Sequence, residues 1–173
     1  MDDLCWFYPT GHEAHQEPGH PERPERVEVI RAALEQAGWW DRYPQIEAME
    51  VPDLVLQRVH SPAYLNLLEM TCRRGGHLDA DTYVQPASWK LARQAAGGAL
   101  AIALAVWNGI ARRGFALTRP PGHHACYGQG MGFCLLNNVA LAADALIQEH
   151  GARKLAIVDL DLHHGNGTQD IFW

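Results

Sequence analysis

The sequence lacks an excess of positive charge. Its 173 residues carry 14 Lys and Arg against 20 Asp and Glu, which gives a formal net charge of −6. Binding to nucleic acid requires a concentrated basic surface that neutralises phosphates. We therefore expect no direct nucleic-acid partner, and a neutral or cationic small substrate suits this charge better.

Paired cysteines are also lacking. The four cysteines are widely spaced along the chain and no C-x-x-C pair occurs. This pattern predicts neither a disulfide framework nor a cysteine-based zinc knuckle. Reduced thiols in a cytosolic protein are the ordinary expectation.

Long apolar runs are missing as well. The longest apolar stretch, residues 95–107, contains two glycines and is shorter than the about 20 residues that a transmembrane helix needs. The first residues, Met1-Asp2-Asp3, are acidic, whereas a signal peptide begins with positive charge. We expect a soluble, cytoplasmic protein with no membrane partner.

The most informative stretch that is present is KLAIVDLDLHHGNGTQD, residues 154–170. Its apolar beginning, residues 155–158, predicts a short buried strand of a parallel sheet. Side chains alternate along a strand, so Asp159, Asp161 and His163 should share one side. The carboxyl ends of strands in open α/β sheets hold ligand sites. The acids could merely cap the next helix or pair with basic residues, but D-x-D-x-H followed by H-G-N-G favours a metal or catalytic site.

A second polar stretch, RPPGHHACYGQGMGFCLLNN, occupies residues 119–138. It follows another predicted short strand, residues 114–118, and places His123 and His124 in a loop rich in Pro and Gly. Because parallel strands end at the same edge of a sheet, we expect these histidines to meet the polar residues that follow residue 158.

This combination of side chains suits metal-assisted acid–base chemistry. Asp161 and His163 are candidate zinc ligands, through a carboxylate oxygen and an imidazole nitrogen. His123 and His124 are candidates for a general acid and a general base, because imidazole titrates near neutral pH. Each would need a residue that orients its ring, and the sequence places Asp159 and Asn166 nearby.

The remaining chain alternates short apolar runs with helical patterns. We predict further strands at residues 4–8 and 53–59, and helices at residues 24–37, 61–72, 86–109 and 135–150. Ser61 is the expected N-cap of the second helix and Pro62 its first residue. The glycine pair at 97–98 suggests close packing of its helix against a neighbour. His12, His15 and His20 are irregularly spaced in a loop, which favours surface histidines over a metal cluster. The alternation predicts an α/β fold with a parallel sheet.

The motifs RPPGHHA, GFCLLNN and VDLDLHHGNGTQD together resemble those of the zinc-dependent histone deacetylase superfamily. That superfamily includes acetylpolyamine amidohydrolases and bacterial histone deacetylase-like amidohydrolases. HPERPER and VHSPAYL fit the same pattern, and the HGNG form, with Asn166, resembles the class II and bacterial branches. The resemblance implies a three-layer α/β/α fold with a mainly parallel sheet, of the arginase/deacetylase type.

The resemblance also implies roles for the polar residues. Asp161 and His163 would bind zinc. His123 would pair with Asp159 and stabilise the oxyanion. His124 would pair with Asn166; because the amide is neutral, His124 is the better candidate for the general base.

Further roles follow from the same resemblance. Phe133 would line a narrow channel for the stem of an acyl-lysine or acyl-polyamine, with the Gly132 carbonyl near the substrate amide. Arg26 resembles an arginine that lies behind the active site in the family. A monovalent cation site, with potassium as the candidate ion, would form partly from residues 159–163.

The sequence departs from the family in its length. The family's catalytic domain is longer than 173 residues, and a third zinc-binding aspartate and a later tyrosine or histidine at the oxyanion site have no counterpart here. Residues 1–173 therefore resemble the N-terminal portion of a single, truncated deacetylase domain.

The function expected from these patterns is zinc-dependent removal of acetyl groups from lysine side chains or related amines. An acetylpolyamine-specific deacetylase is one alternative, and a non-catalytic fragment that acts as a binding module is another. A dinuclear manganese hydrolase of the arginase type shares the expected sheet architecture. The GHHA motif and the lack of a D-x-H-x-D pattern argue against it.

Overall fold

Helices and short strands alternate along residues 2–173, the part of the chain that the computed structural model describes. The strands are β1 (Cys5–Phe7), β2 (Gly76–His77), β3 (Tyr83–Val84) and β4 (Gly114–Ala116). The α-helices are α1 (Glu25–Gln36), α2 (Asp53–Val59), α3 (Pro62–Arg74), α4 (Ser88–Trp107), α5 (Asn138–Gln148) and α6 (Asn166–Phe172), and a 3₁₀ helix spans His12–Ala14.

A parallel pair of strands, β1 and β4, lies between helices. Cys5 and Phe7 pack on one face of this pair, in a cluster with Ile102 of α4. Trp6 packs on the opposite face with Val27 of α1. Side chains alternate along a strand, so this division puts α4 and α1 on opposite faces of the strands and forms three layers, as the sequence predicts.

The long helix α4 approaches β1 very closely at its two adjacent glycines. A Cβ atom at Gly98 would overlap the ring of Phe7, and one at Gly97 would overlap the backbone carbonyl of Met49. Any larger residue at these positions would force the neighbours apart. The close packing predicted from the glycine pair is therefore confirmed.

The main core joins α2, α3, α4 and α5. Val55, Leu68, Leu100 and Leu141 represent these four helices in one buried cluster. The helix α3 begins as the sequence predicts, with Pro62 as its first residue and the preceding Ser61 accepting a hydrogen bond at its Oγ from the Tyr64 amide (3.1 Å). Leu135 and Leu136, near the end of the stretch that carries His123 and His124, belong to the same cluster.

Two strand predictions are wrong. Residues 53–59 form the helix α2, in which Val55, Leu56 and Val59 are buried at helical spacing. Residues 155–158 belong to no strand, and Val158 is 78% exposed. The apolar run has a strand-like composition, but within residues 2–173 no strand pairs with it and its backbone lacks a ladder partner. The strand β4 is also shorter than predicted, and Gly114 and Phe115 are exposed.

The prediction of surface histidines in the loop before α1 is wrong for two of the three. His12 and His15 are buried and His20 is half-buried. His15 stacks on Tyr83, its Nδ1 is 2.6 Å from the Ser88 Oγ, and burial lowers its pKa to about 3. His12 and His15 therefore belong to the protein interior.

No helix within residues 2–173 is both long enough and apolar enough to cross a membrane.

Candidate active site

The two adjacent histidines lie in a loop that the start of α6 holds in place. The backbone N–H groups of Gly167 and Thr168 both donate to the His123 carbonyl oxygen, at 3.0 and 3.2 Å. A Cβ atom at Gly167 would overlap the backbone of Ala125. Glycine at this position therefore allows the first turn of α6 to lie directly on the histidine loop.

His124 and Asn166 form a short hydrogen bond. The His124 Nδ1 is 2.6 Å from the Asn166 Oδ1. The Asn166 Nδ2 faces the sulfur atoms of Cys126 and Met131, at 3.4 and 3.5 Å, so the amide oxygen is the atom that faces the imidazole. An amide oxygen only accepts, which assigns the proton to Nδ1 of His124 and leaves its Nε2 with a free lone pair.

His123 pairs with a carboxylate instead. Its Nδ1 is 2.9 Å from the Asp159 Oδ2. The hydrogen bond from His123 is the main cause that holds the pKa of the Asp159 carboxyl below its ordinary value. An ionised carboxylate favours the protonated form of a neighbouring imidazole. The two histidines, whose ring centres are 4.0 Å apart, thus have orienting partners of different charge.

Asp161 and His163 form a third pair. The Asp161 Oδ1 accepts a hydrogen bond from the His163 backbone N–H (2.8 Å) and lies 3.0 Å from the His163 Nδ1. The backbone hydrogen bond is the main cause that lowers the pKa of the Asp161 carboxyl. The His163 ring centre is 5.9 Å from that of His124. All three pairs therefore meet in one region.

The Asp161 and His163 donor atoms fit two positions of a zinc site. Zinc binds carboxylate oxygen and imidazole nitrogen at about 2.0–2.2 Å, and two atoms 3.0 Å apart can both reach one ion at those distances. Within residues 2–173, the only group of three candidate ligands close together is His12, Glu13 and Glu28. None of these three lines the cavity beside Asp161, so no such group of three among the described residues includes Asp161 and His163.

A cavity of about 350 Å³ lies beside His123, His124, Asp161 and His163. Its wall includes Gly132 and Phe133, both with positive φ angles (55° and 70°). A Cβ atom at Gly132 would overlap the His124 ring. The Phe133 N–H donates to the Thr82 Oγ1 at 3.0 Å, which helps to hold this unusual backbone conformation. Besides these, the cavity is lined by Pro21, Glu22, Arg26, Asp81, Pro121, His123, His124, Cys134, Asp161 and His163.

Sequence reasoning missed Glu22 and Asp81 as residues of this cavity. Glu22 forms a buried bidentate pair with Arg119, at 2.8 and 2.9 Å, and also accepts a hydrogen bond from the Tyr83 hydroxyl. Arg26, which the resemblance placed behind the site, lies beside this pair, 3.4 Å from Glu22. Glu22 and Arg119 both belong to quoted motifs, HPERPER and RPPGHHA, and that signal could have identified them. The loop that carries Asp81 gave no comparable signal.

Comparisons with known proteins identify the family and the fold. The family described as "Histone deacetylase domain" matches residues 20–173. The chain is 44% identical to histone deacetylase 15 of Arabidopsis thaliana, over 88% of this chain and 28% of that protein. It is 36% identical to the histone deacetylase-like amidohydrolase of Pseudomonas aeruginosa, over 100% of this chain and 49% of that protein. It is also 40% identical to the human polyamine deacetylase HDAC10, over 87% of this chain and 24% of that protein.

A solved structure gives the same result for the fold. The HD domain of HDA15 superimposes with a TM-score of 0.93 and 40% identity, over 99% of this chain and 50% of that domain's chain. The predicted deacetylase-like α/β fold is confirmed. The chain spans about half or less of the length of these relatives. Its motifs, its fold and its family match establish that this chain belongs to the histone deacetylase family.

Proposed function

We propose that residues 1–173 form the N-terminal portion of a zinc-dependent deacetylase domain. Its reaction would be hydrolysis of an acetyl-amide on a lysine side chain or a polyamine. The observation that carries the proposal is the meeting of three polar pairs, His123–Asp159, His124–Asn166 and Asp161–His163, in one region of the molecule. Family membership supports deacetylation in general.

Asp161 and His163 would hold the zinc ion. When bound, zinc lowers the pKa of water and polarises a carbonyl oxygen. A potassium ion near residues 159–163 is part of the same proposal, because the family resemblance implies a monovalent cation site there.

His124 would act as the general base. Its Nδ1–H is bound to the neutral Asn166, so its Nε2 can accept a proton from the attacking water. The water oxygen forms the new bond to the carbonyl carbon. The C–N bond then breaks and the proton that His124 accepted from the water passes to the amine nitrogen, giving acetate and a free amine.

His123 would stabilise negative charge on the carbonyl oxygen. The Asp159 carboxylate holds the His123 Nδ1 at 2.9 Å and so orients the ring, and an imidazole N–H held in a fixed orientation can donate a hydrogen bond to an oxyanion. The two histidines differ because one faces a carboxylate and the other an amide. This difference supports separate roles for the two side chains, with His124 as the general base and His123 as the hydrogen-bond donor to the oxyanion.

Gly132 and Phe133 would contact the substrate stem. Both line the cavity beside His124. The exposed Asp81 carboxylate at the same cavity suits a substrate with a positive charge, such as a polyamine or a basic peptide. Acetyl-lysine in a protein and acetylpolyamine are the two substrate candidates, and the cytoplasm is the proposed location.

A second candidate function is a non-catalytic binding module. The lack of a third zinc ligand beside Asp161 and His163 within residues 2–173 favours it. Such a module would bind an acetylated ligand in the cavity without turnover.

Release of acetate from an acetyl-lysine peptide and from an acetylpolyamine distinguishes these functions. The proposal predicts turnover that zinc chelation abolishes and that His124→Ala reduces by at least about 100-fold, the usual contribution of a general base. His164→Ala is the matched control, because His164 is exposed and does not line this cavity. Undiminished turnover in His124→Ala would exclude the assigned base. Ligand binding without acetate release would favour the binding module.

A further inference from the structure

Two motif residues have no part in the proposed chemistry although they lie deep in the protein. His60 belongs to VHSPAYL and Asn137 to GFCLLNN, and both are 0% exposed. Buried polar side chains are costly unless their hydrogen bonds are made. Their hydrogen-bond partners include backbone atoms of the loop that carries His124 and a side chain of α6, the helix that begins at Asn166.

His60 is hydrogen-bonded to the loop that carries His123 and His124. Its Nδ1 donates to the Cys126 carbonyl oxygen at 2.9 Å, and its Nε2 accepts from the Asn137 backbone N–H at 2.9 Å. A neutral imidazole has one donor and one acceptor, so a single tautomer satisfies both bonds. Burial lowers the pKa of His60 to about 4, which keeps the ring in this neutral form at physiological pH.

Asn137 connects the loop to α6. Its Oδ1 accepts from the Ala140 N–H (3.1 Å) and caps α5. Its Nδ2 donates to the Ala125 carbonyl oxygen and to the Thr168 Oγ1, both at 3.2 Å. Ala125 directly follows His124, and Thr168 lies two residues after Asn166. One amide group thus holds the two segments that carry the members of the pair.

We propose that Asn137 and His60 are positioning residues that set the distance and orientation of the His124–Asn166 hydrogen bond. The role of that bond in preparing a general base rests on the proposed function, whereas the positioning itself does not. Asn137 fixes the two segments relative to each other, and His60 fixes the loop relative to Asn137. A free loop would allow His124 to rotate away from Asn166 and to exchange its proton between Nδ1 and Nε2.

The test is NMR of the metal-free chain labelled with ¹⁵N-histidine. Asn137→Ser keeps an oxygen that can cap α5 but removes the amide donor. We expect the His124 Nδ1–H to exchange with solvent about tenfold faster, because a hydrogen bond contributes roughly this factor to local stability. We also expect the ¹⁵N shifts to show a mixture of tautomers. His60→Leu, which removes both bonds of the ring, should change the same signals in the same direction.

Leu141→Ala is the matched control. Leu141 is fully buried in α5 and its side chain makes no hydrogen bonds, so its truncation lowers global stability through a cavity. The His124 signals should stay unchanged in this variant at temperatures where it is folded. A similar change in Leu141→Ala would show that general destabilisation is enough and would overturn the proposal.

Thr168→Val is a milder variant in case Asn137→Ser does not fold. It removes the Thr168–Asn137 bond, and its methyl group is similar in size to the hydroxyl. A faster exchange of the His124 Nδ1–H would support the proposal, whereas unchanged exchange here and in any folded Asn137→Ser protein would overturn it. Because this readout needs neither zinc nor turnover, a lack of deacetylation would refute the proposed function and leave this result intact.

Discussion

The candidate site combines two regions that are held very differently. The loop with His123 and His124 rests on a buried network that includes His60, Asn137 and the start of α6. The segment at residues 155–163 joins no sheet, and Leu160 and Leu162 are 91% and 94% exposed. The loop with the two candidate acid–base histidines is therefore held by buried hydrogen bonds, whereas the segment with the candidate metal ligands makes few contacts within the described residues.

The largest effect is expected at the buried ion pair between Glu22 and Arg119. Glu22→Ala leaves Arg119 buried without its carboxylate partner, and the expected loss in unfolding free energy is about 3–5 kcal/mol. Glu69→Ala, which breaks an exposed pair with Arg73, should cost less than about 1 kcal/mol. Urea unfolding followed by circular dichroism measures both. Equal losses in the two variants would contradict the buried role of Glu22.

Crowding between α6 and the histidine loop should have the next largest effect. Gly167→Ala places a methyl group against the Ala125 backbone, and we expect a loss of about 1–3 kcal/mol in unfolding free energy. Gly128→Ala is the control, because a Cβ atom there meets open space. Thermal unfolding of the two variants tests the difference. A Gly167→Ala protein as stable as the control would mean that α6 does not press on the loop.

Acid should lower the unfolding free energy through the buried histidines His15 and His60. His15 and His60 have folded pKa values of about 3 and about 4, below the about 6.5 of the unfolded chain. The unfolded state therefore binds more protons, and stability is full above pH 7 and falls as pH drops through about 6.5 towards 4. Each histidine contributes a slope of up to about 1.4 kcal/mol per pH unit in that interval.

Denaturant unfolding at pH 7.5, 6 and 5 measures this slope. His60→Gln should reduce it, since one of the two buried rings is removed, while His150→Gln should leave it unchanged because His150 is exposed. A slope in His60→Gln equal to that of the parent chain would mean that His60 is protonated without cost in the folded state.

The smallest effect is expected in the exposed segment. Leu160→Ser should change the unfolding free energy by less than about 0.5 kcal/mol, because an exposed side chain loses no buried contacts. The matched variant in the buried core is Leu136→Ser. The Leu136 side chain is 1% exposed, and this substitution should lower the unfolding free energy by several kcal/mol (on the order of 3). A large loss in Leu160→Ser would show that residues 155–163 are anchored as well.

Short sequence patterns predict the elements whose structure depends on neighbouring residues, such as helix caps and glycine contacts. The start of α3 follows from Ser61 and Pro62, and the close packing of α4 follows from the glycines at 97–98. The α2 helix was predicted as a strand because a seven-residue segment with only four apolar residues, DLVLQRV, suits both structures. Periodicity alone cannot separate the two at this length.

Features that depend on distant partners were harder to predict. The run at residues 155–158 has a strand-like composition, but a strand also needs a neighbour that composition does not specify. His15 is buried because it meets Ser88 and Tyr83, which are far away in sequence. The His123–Asp159 and His124–Asn166 contacts were expected only from the family resemblance, since residue spacing does not choose between partners.

Zinc binding to the metal-free chain shows whether Asp161 and His163 are metal ligands. Calorimetric titration with zinc alone should show one ion per chain, with binding lost in Asp161→Asn and in His163→Gln. Asp41→Asn, a change at an exposed carboxylate outside the candidate site, should bind as the parent does. Zinc binding by Asp161→Asn as tight as that of the parent would contradict the claim that Asp161 and His163 form the metal-binding half of a deacetylase site.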